Sequence, residues 1–311
     1  MNAIISYLSH PKEILLYFMR HYCSWMSDKK YIELYYRIKL GKKPDLENPT
    51  KLTEKLNWIK LYDQNPLYHK LVDKCEVKKY VSEKLGPDVV IPMYGVWEKF
   101  EDIDFDKLPE QFILKCTHVS GGLAVCRDKS TFDKEAARRN IEKSLKNEYY
   151  LGHREWAYKD VRPRIIAEKL VESLGKKDSV EYKLTCYNGK VAFFTICTGI
   201  AHVEFEKRKN DHFDKQYNKL NWYAYYKPAD TPVSIPAEMD TMIEYAEKLA
   251  EGIPQVRVDF YLVDGKIYFG EMTFYTWAGF IEFNPPEWDD ILGSWLQLPE
   301  TKRIEQYVLS S

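Results

Sequence analysis

Two dipeptides, Asn188-Gly189 and Asp264-Gly265, constrain this chain more than any other feature. Each stands between two apolar runs: Val180 to Tyr187 and Val191 to Cys197 around the first, Val256 to Val263 and Lys266 to Met272 around the second. Asn-Gly and Asp-Gly tolerate the positive φ angles of a tight hairpin turn, whose twist must match that of its strands. The chain therefore carries antiparallel sheet. Strand-like runs also occupy Val89 to Met93, Gln111 to Thr117 and Arg164 to Leu170. Between them, helical spacing over Thr131 to Asn147 turns Phe132, Ala136, Ile141 and Leu145 inward. A second helix over Glu238 to Glu251 buries Met239, Met242, Ile243, Ala246 and Leu249. Helices mixed with hairpins predict an α+β fold.

Upstream of residue 90 the pattern is helical. Ile4, Ile5 and Leu8, then Ile14, Leu15, Phe18 and Met19, recur at three- and four-residue steps. Gly41 to Pro49 is a connector, a helix starts near Leu52, and another follows Pro66 and stops at Gly86-Pro87. Residues 1–43 hold eight Lys or Arg against Glu13, Asp28 and Glu33. Such a basic amphipathic segment can lie on an anionic membrane, or pack on the main body with a solvated basic face, the preferred reading. Over the whole chain, 46 basic residues balance 47 acidic ones, which argues against a nucleic-acid-coating protein. No apolar run approaches the ~20 residues that span a bilayer, and the first ten residues lack a signal-peptide pattern. A cytoplasmic protein is expected. The six cysteines form no C-x-x-C pair and read as buried reduced thiols.

Three constellations carry chemical potential. Phe112-Ile113-Leu114-Lys115 ends a strand before His118-Val119-Ser120-Gly121-Gly122, so a cation and free backbone N–H groups meet at a small-residue loop suited to phosphate. The Walker order is absent. Ile165 to Val171 is an apolar strand ending in Glu168-Lys169, followed by Glu181-Tyr182-Lys183 on the next strand. Val256-Arg257-Val258-Asp259-Phe260-Tyr261 and Gly270-Glu271-Met272-Thr273 form the last hairpin. Asp259 and Glu271 would make a hard oxygen site for Mg²⁺ only if both face the same side. A two-residue turn would pair Asp259 with Gly270 and turn Glu271 away. A three-residue Val263-Asp264-Gly265 loop would pair Glu271 with Arg257, so the metal reading predicts the longer loop.

The order of these motifs resembles the ATP-grasp superfamily, and more closely its TupA-like family, named for a teichuronopeptide-biosynthesis protein and common in surface-polysaccharide loci. The likeness runs from Asn48-Pro49-Thr50-Lys51-Leu52-Thr53-Glu54-Lys55-Leu56 through Asp73-Lys74 and the segments above to Leu292-Gly293 and Leu298-Pro299. It implies an ATP-grasp fold in which two α+β lobes, about 69–167 and 168–311, clamp ATP beside a helical extension, 1–68. Lys115 and Lys74 would then contact phosphates, and Ser120, Gly121 and Gly122 would close over them. The backbone of Glu168, Lys169, Leu170 and Val171 would read adenine, Glu181 the ribose. Lys183 would lie near the phosphates, and Asp259, Glu271 and Thr273 would hold Mg²⁺. Thr273 stands where the superfamily usually has Asn. Arg257, with Lys183 and Lys115, would stabilise the transferring phosphoryl group.

The resemblance implies an ATP-dependent carboxylate–amine ligase that forms an acyl phosphate. Its substrates would be a small molecule or polysaccharide precursor, such as a uronic-acid sugar, and an amine, with no nucleic acid involved. Two other readings stay open: an ATP-grasp phosphotransferase, and a sugar-nucleotide glycosyltransferase using Asp104-Phe105-Asp106, although that D-x-D sits in an acidic linker. The aromatic stretch Tyr149 to Tyr158, the Lys207 to Asn210 segment and Trp222 could serve an acceptor or be ordinary surface.

Overall fold

The computed structural model of the chain describes residues 11–171, 179–200 and 204–303. The helical steps at Ile4, Ile5 and Leu8 lie outside the described residues. Helix α1 (Pro11–Tyr22) packs on α2 (Asp28–Leu40), whose end is set by Gly41 at φ 72°, with its N–H bonded to Arg37 O. Leu16, Met19, Cys23, Tyr31, Tyr35 and Tyr36 form a small core with Phe280. The outer side of α1 is apolar and aromatic rather than basic: Leu15, Phe18 and Tyr22 are exposed, and Trp25 beyond the helix is 78% exposed.

A four-stranded antiparallel sheet follows: β1 (Met93–Trp97), β2 (Phe112–Cys116), β3 (Leu123–Cys126) and β4 (Ile165–Lys169), in the order β1-β4-β2-β3. Phe112, Leu114, Cys116, Ile165 and Ala167 share a core with Ala137 and Ile141 of α6 (Lys134–Leu145). Ala136 is exposed, contrary to the expected inward set. Four residues before Ile141 is nearly one helical turn, so Ala137, not Ala136, shares its face. Alternation turns Ile113, Lys115, Ile166 and Glu168 to the other side of the sheet. The expected strand at Val89 to Met93 is instead a 3₁₀ turn, Pro87–Val89, with the strand starting at Met93. Pro92 cannot donate to the ladder, though its carbonyl accepts the Lys169 N–H at 2.9 Å.

The second sheet has six antiparallel strands in the order β10-β9-β5-β6-β7-β8. These are β5 (Glu181–Tyr187), β6 (Lys190–Thr198), β7 (Lys209–Phe213), β8 (Lys219–Leu220), β9 (Gln255–Val263) and β10 (Lys266–Thr273). Both hairpin turns have two residues, Asn188 and Gly189 at φ 52° and 76°, Asp264 and Gly265 at φ 50° and 72°. Helix α8 (Met239–Leu249) covers one face through Met239, Met242, Ala246 and Leu249. Helices α3 (Leu52–Tyr62), α4 (Leu67–Val72) and α5 (Glu76–Leu85) also bury Leu56, Tyr68, Leu71, Val77 and Val81 in this core. Segments expected in the extension and first lobe therefore complete the core of the second sheet.

The motif at Thr50 to Leu56 and the one at Leu292-Gly293 are two halves of one contact, α3 against α9 (Trp288–Trp295). Thr53 bonds Asp289 through its N–H and its hydroxyl, at 2.9 and 2.8 Å. Lys55 Nζ donates to Gly293 O and Leu296 O at the C-terminal end of α9, where helix carbonyls run short of N–H partners. A Cβ on Gly293 would stand 2.3 Å from Thr50 O. Glu54 accepts backbone N–H groups of Thr50 and Lys51, fixing the entry to α3.

Candidate active site

The last hairpin settles the register question by a route the sequence reading did not weigh. Its turn is the two-residue one, so the predicted three-residue loop is wrong. The ladder shifts at Gly270 instead, between Phe269 opposite Phe260 and Glu271 opposite Asp259, with Thr273 opposite Arg257. One bulged residue changes the face of every residue after it. Gly270 suits the bulge, because a Cβ would lie 3.0 Å from Asp259 O and 3.1 Å from the Tyr261 ring, contacts that those neighbours would have to yield to relieve. Arg257, Asp259, Glu271 and Thr273 thus share one face, joined by Lys183, which lies opposite Asp259 on β5.

These side chains form a continuous charged row. Arg257 grips Asp259 with two bonds, Nε to Oδ1 at 2.6 Å and Nη2 to Oδ2 at 2.7 Å. The same Nη2 reaches Glu271 Oε1 at 3.3 Å and Thr273 Oγ1 at 3.0 Å. Lys183 Nζ bridges Glu181 at 2.8 Å and Asp259 at 3.2 Å. Burial alone would raise the Asp259 carboxyl, but Arg257 and Lys183 outweigh it and hold it below the usual aspartate value. Two carboxylates and a hydroxyl turned to one guanidinium offer an all-oxygen donor set at a point that already accommodates positive charge. They fit Mg²⁺, which takes one or two carboxylates and fills its shell with water and phosphate oxygens. Among the described residues, no group of three His, Cys, Asp or Glu side chains forms a closed metal cage.

The first sheet supplies the second charged group. Glu168 is buried between Lys78 Nζ and Lys115 Nζ, each at 2.7 Å. Burial would raise its carboxyl, but Lys115 and Lys78 hold it below the ordinary glutamate value. Lys78 was not among the residues singled out from the sequence. Its approach from α5 to a strand about ninety residues later left no local signal. Lys74 is pinned to the loop, with Nζ donating to Val119 O at 2.6 Å, and burial lowers its ammonium. The loop itself is open at Ser120 and Gly121, and Gly121 and Gly122 have φ of 92° and 61°. At Gly122 a Cβ would also strike Ser144 at 2.6 Å. Leu170 and Val171 are buried and Lys169 is exposed.

Lys74, Ser120, Glu181, Lys183, Arg257, Glu271 and Thr273 line a cavity of about 570 Å³. Its other walls come from regions the sequence left undecided. Tyr149, His153, Glu155 and Tyr158 line it, as do Arg208, Asn210 and Trp222, so both the aromatic stretch and the Lys207 to Asn210 segment reach it. Arg20, Tyr35 and Lys39 reach it from α1 and α2. Tyr225 and Trp277 pack ring on ring at 4.1 Å. Trp277 belongs to a backbone stretch in which Tyr275, Trp277 and Ala278 all have φ near 53°. Strain of this kind persists only where the surroundings hold it, and it is commonest at functional sites. Here Asn57 Nδ2 donates to Gly279 O at 2.8 Å, and Lys60 Nζ donates to Ala278 O. Asp104 and Asp106 are elsewhere: Asp104 caps a short 3₁₀ turn and pairs with Lys107 at 3.0 Å. A local turn accounts for that D-x-D.

The family model described as TupA-like ATPgrasp matches residues 54–297. No curated protein sequence matches the chain. Among solved structures, it is similar to a D-alanine–D-alanine ligase from Bacillus anthracis complexed with ATP, at 18% identity and TM-score 0.39, over 66% of this chain and 55% of that one. It is also similar to a RimK domain ATP-grasp protein from Sphaerobacter thermophilus, at 12% identity and TM-score 0.38, over 80% of this chain and 72% of the other. An N5-carboxyaminoimidazole ribonucleotide synthetase in its ADP complex gives 17% identity and TM-score 0.41, over 79% and 56%. The chain thus spans little more than half the length of the D-alanine–D-alanine ligase.

Proposed function

This chain belongs to the TupA-like ATP-grasp family, and from that premise we propose that it is an ATP-dependent carboxylate–amine ligase working through an acyl phosphate. The observation that carries the reading is the shared face of Lys183, Arg257, Glu271 and Thr273 on the wall of one cavity, with Asp259 buried beneath them and bonded to Arg257 and Lys183. In this reading Lys115, Lys78 and Lys74 bind the phosphate chain, and the Ser120 to Gly122 loop closes over it. Phosphate oxygens would replace Glu168 as partners of the two strand-facing lysines, or join it there. The Glu168 to Val171 backbone lies against adenine and Glu181 against the ribose. Asp259, Glu271 and Thr273 would hold Mg²⁺, which when bound draws charge from the phosphoryl oxygens. Arg257 and Lys183 stabilise negative charge as the phosphoryl group moves to the carboxylate and again as the amine attacks. Excluding water matters, because an acyl phosphate hydrolyses.

The reaction in this proposal amidates a uronic-acid-type sugar, or attaches an amino acid, in surface-polysaccharide assembly. The mixed aromatic and cationic cavity wall supports it: Trp277, Tyr225 and Tyr226 can stack on a sugar ring, and Arg20 and Arg208 suit its carboxylate. The proposed place of work is the cytoplasm at the inner membrane face, supported by the exposed apolar side of α1 and by the exposed Lys12, Lys29 and Lys30 of the two N-terminal helices. Among the described residues no helix is long and apolar enough to cross a membrane.

The test is incubation with Mg-ATP, hydroxylamine and sugar carboxylates, with products identified by mass spectrometry. A hydroxamate formed together with ADP is expected. A sugar phosphate would make the protein a phosphotransferase, and stabilisation by UDP-sugars with indifference to ATP would make it a glycosyltransferase.

A further inference from the structure

Four acidic residues line the cavity among the described residues: Glu13, Glu155, Glu181 and Glu271. Three have a cation in direct contact, Glu13 with Lys39, Glu181 with Lys183 and Glu271 with Arg257. Among the described residues Glu155 has no Lys or Arg within ion-pair distance, although it is only 4% exposed. Among the described residues its nearest polar side-chain neighbour is His153 Nδ1, at 3.8 Å. A carboxylate this deeply buried normally has a charged or hydrogen-bonded partner, because desolvating it otherwise costs several kcal/mol. The missing partner points to a cationic group that arrives with a ligand.

The surroundings fit such a group. Tyr35, Tyr149, Tyr158 and Phe280 present ring walls to the same cavity, and aromatic faces attract ammonium ions. His153 is held by Tyr35, whose hydroxyl lies 3.2 Å from Nε2, so a neutral ring with its proton on Nδ1 points that proton toward Glu155. The other cations lining the cavity, including Lys74, Lys183 and Arg257, repel a positive ligand from the phosphate end. Burial lowers the Lys60 ammonium to about 7 although Glu155 pulls it up, and its hydrogen bonds favour the charged form. It donates to Asn57 Oδ1 at 3.0 Å, His153 O at 3.1 Å and Ala278 O, three acceptors that a neutral amine with two N–H bonds could not serve.

We propose that Glu155 is the seat of the ammonium group of the amine substrate. The proposal rests on the ligase reading above and names where its second substrate enters. The carboxylate takes one proton from R–NH₃⁺, leaving R–NH₂. The nitrogen lone pair then forms the bond to the acyl carbon, the C–O bond to phosphate breaks, and inorganic phosphate leaves with the electron pair. The second amine proton passes to the phosphate, and Glu155 returns its proton to solvent when the cavity opens.

Burial pushes the Glu155 carboxyl up to about 7, against the pull of Lys60. The titratable groups that face it are Lys60 on α3, His153 and Tyr149 on the Tyr149–His153 helix, and Tyr158 and Tyr275. Burial holds His153 neutral and raises all three phenols, and it lowers the Lys60 ammonium to about 7, so Glu155 and Lys60 are the two groups that change charge between pH 6 and pH 8.

The experiment measures thermal shift of the full chain saturated with Mg-ATP, adding ammonium, ethanolamine, glycine, L-alanine or L-glutamate. At least one of these should stabilise the protein at pH 8. Affinity should weaken about tenfold at pH 6, following the ionised fraction of a carboxyl with a midpoint near 7. Glu155→Gln should keep the Mg-ATP shift and lose the amine shift. Stabilisation by none of the amines, equal amine affinity at the two pH values, or a full amine shift in Glu155→Gln would overturn the proposal. If Glu155→Gln does not fold, the comparison is made in Lys60→Arg, whose side chain stays charged at both pH values: the pH dependence should persist there, and its loss would overturn the proposal. Absence of any Mg-ATP shift would instead sink the ligase reading beneath it.

Discussion

At the residue scale, two buried carboxylates show opposite solutions to one problem. Glu168 sits between two ammonium groups and titrates low, whereas Glu155 has none in contact and titrates high. Glu168→Gln would leave Lys78 and Lys115 facing each other with little water, and breaking a buried pair in this way costs about 3–5 kcal/mol. The expected outcome is a lower Tm, partly recovered by Mg-ATP, whose phosphates supply the lost negative charge. Because the folded carboxyl is held below its unfolded value, its contribution is present above the ordinary glutamate pKa and fades as pH falls through the depressed one. Wild type and variant should therefore converge in acid. Equal Tm at pH 7, or no convergence, would show that Glu168 does not neutralise the lysines. The pair could not be found from sequence, because Lys78 and Glu168 each look like an exposed polar residue in their own segment.

At the scale of elements, turn chemistry and strand register separate. Asn188-Gly189 and Asp264-Gly265 identified both hairpins correctly, since positive φ at two successive positions is a local demand. The face on which Glu271 falls depended on the Gly270 bulge, a close approach of two strands that only packing specifies. Gly270→Ala should push the strands apart, with an overpacking cost of about 1–3 kcal/mol. It should weaken Mg-ATP binding more than it lowers Tm, because the displaced residues are Glu271 and Thr273. Isothermal titration beside thermal denaturation checks this, and a variant with unaltered ATP affinity would show that the bulge is not needed to hold the row. Gly293→Ala tests the latch between α3 and α9. Its Cβ would meet the Thr50 carbonyl, a backbone atom that cannot swing away. The expected result is a loss of stability in chemical denaturation larger than the typical ~1 kcal/mol of a point substitution. An unchanged midpoint would mean that the two helices can separate without cost.

At the scale of the molecule, the N-terminal helices serve the cavity as well as the surface. Tyr35 holds His153 and Arg20 lines the cavity, while the outer side of α1 exposes Leu15, Phe18 and Tyr22. A face of this kind, on helices that also expose Lys12, Lys29 and Lys30, should bind anionic vesicles by apolar insertion aided by charge. Phe18→Glu combined with Leu15→Glu should abolish flotation with phosphatidylglycerol vesicles and leave the Mg-ATP thermal shift intact. Wild-type binding should also weaken at 0.5 M salt. Equal flotation of variant and wild type would remove the membrane from the account.

The sequence by itself determined the α+β class, both hairpins and the inward face of Val256, Val258 and Phe260. These follow from backbone dihedral limits and short-range periodicity, which act within a few residues. The tertiary structure decided what depends on approaches across the chain. It set the bulge that turns Glu271 beside Asp259 and the partnership of Lys78 with Glu168. It also enclosed Glu155 in a cavity closed by helices more than a hundred residues upstream. Burial is what gives that one glutamate its unusual chemistry, and burial is a property of the packed whole.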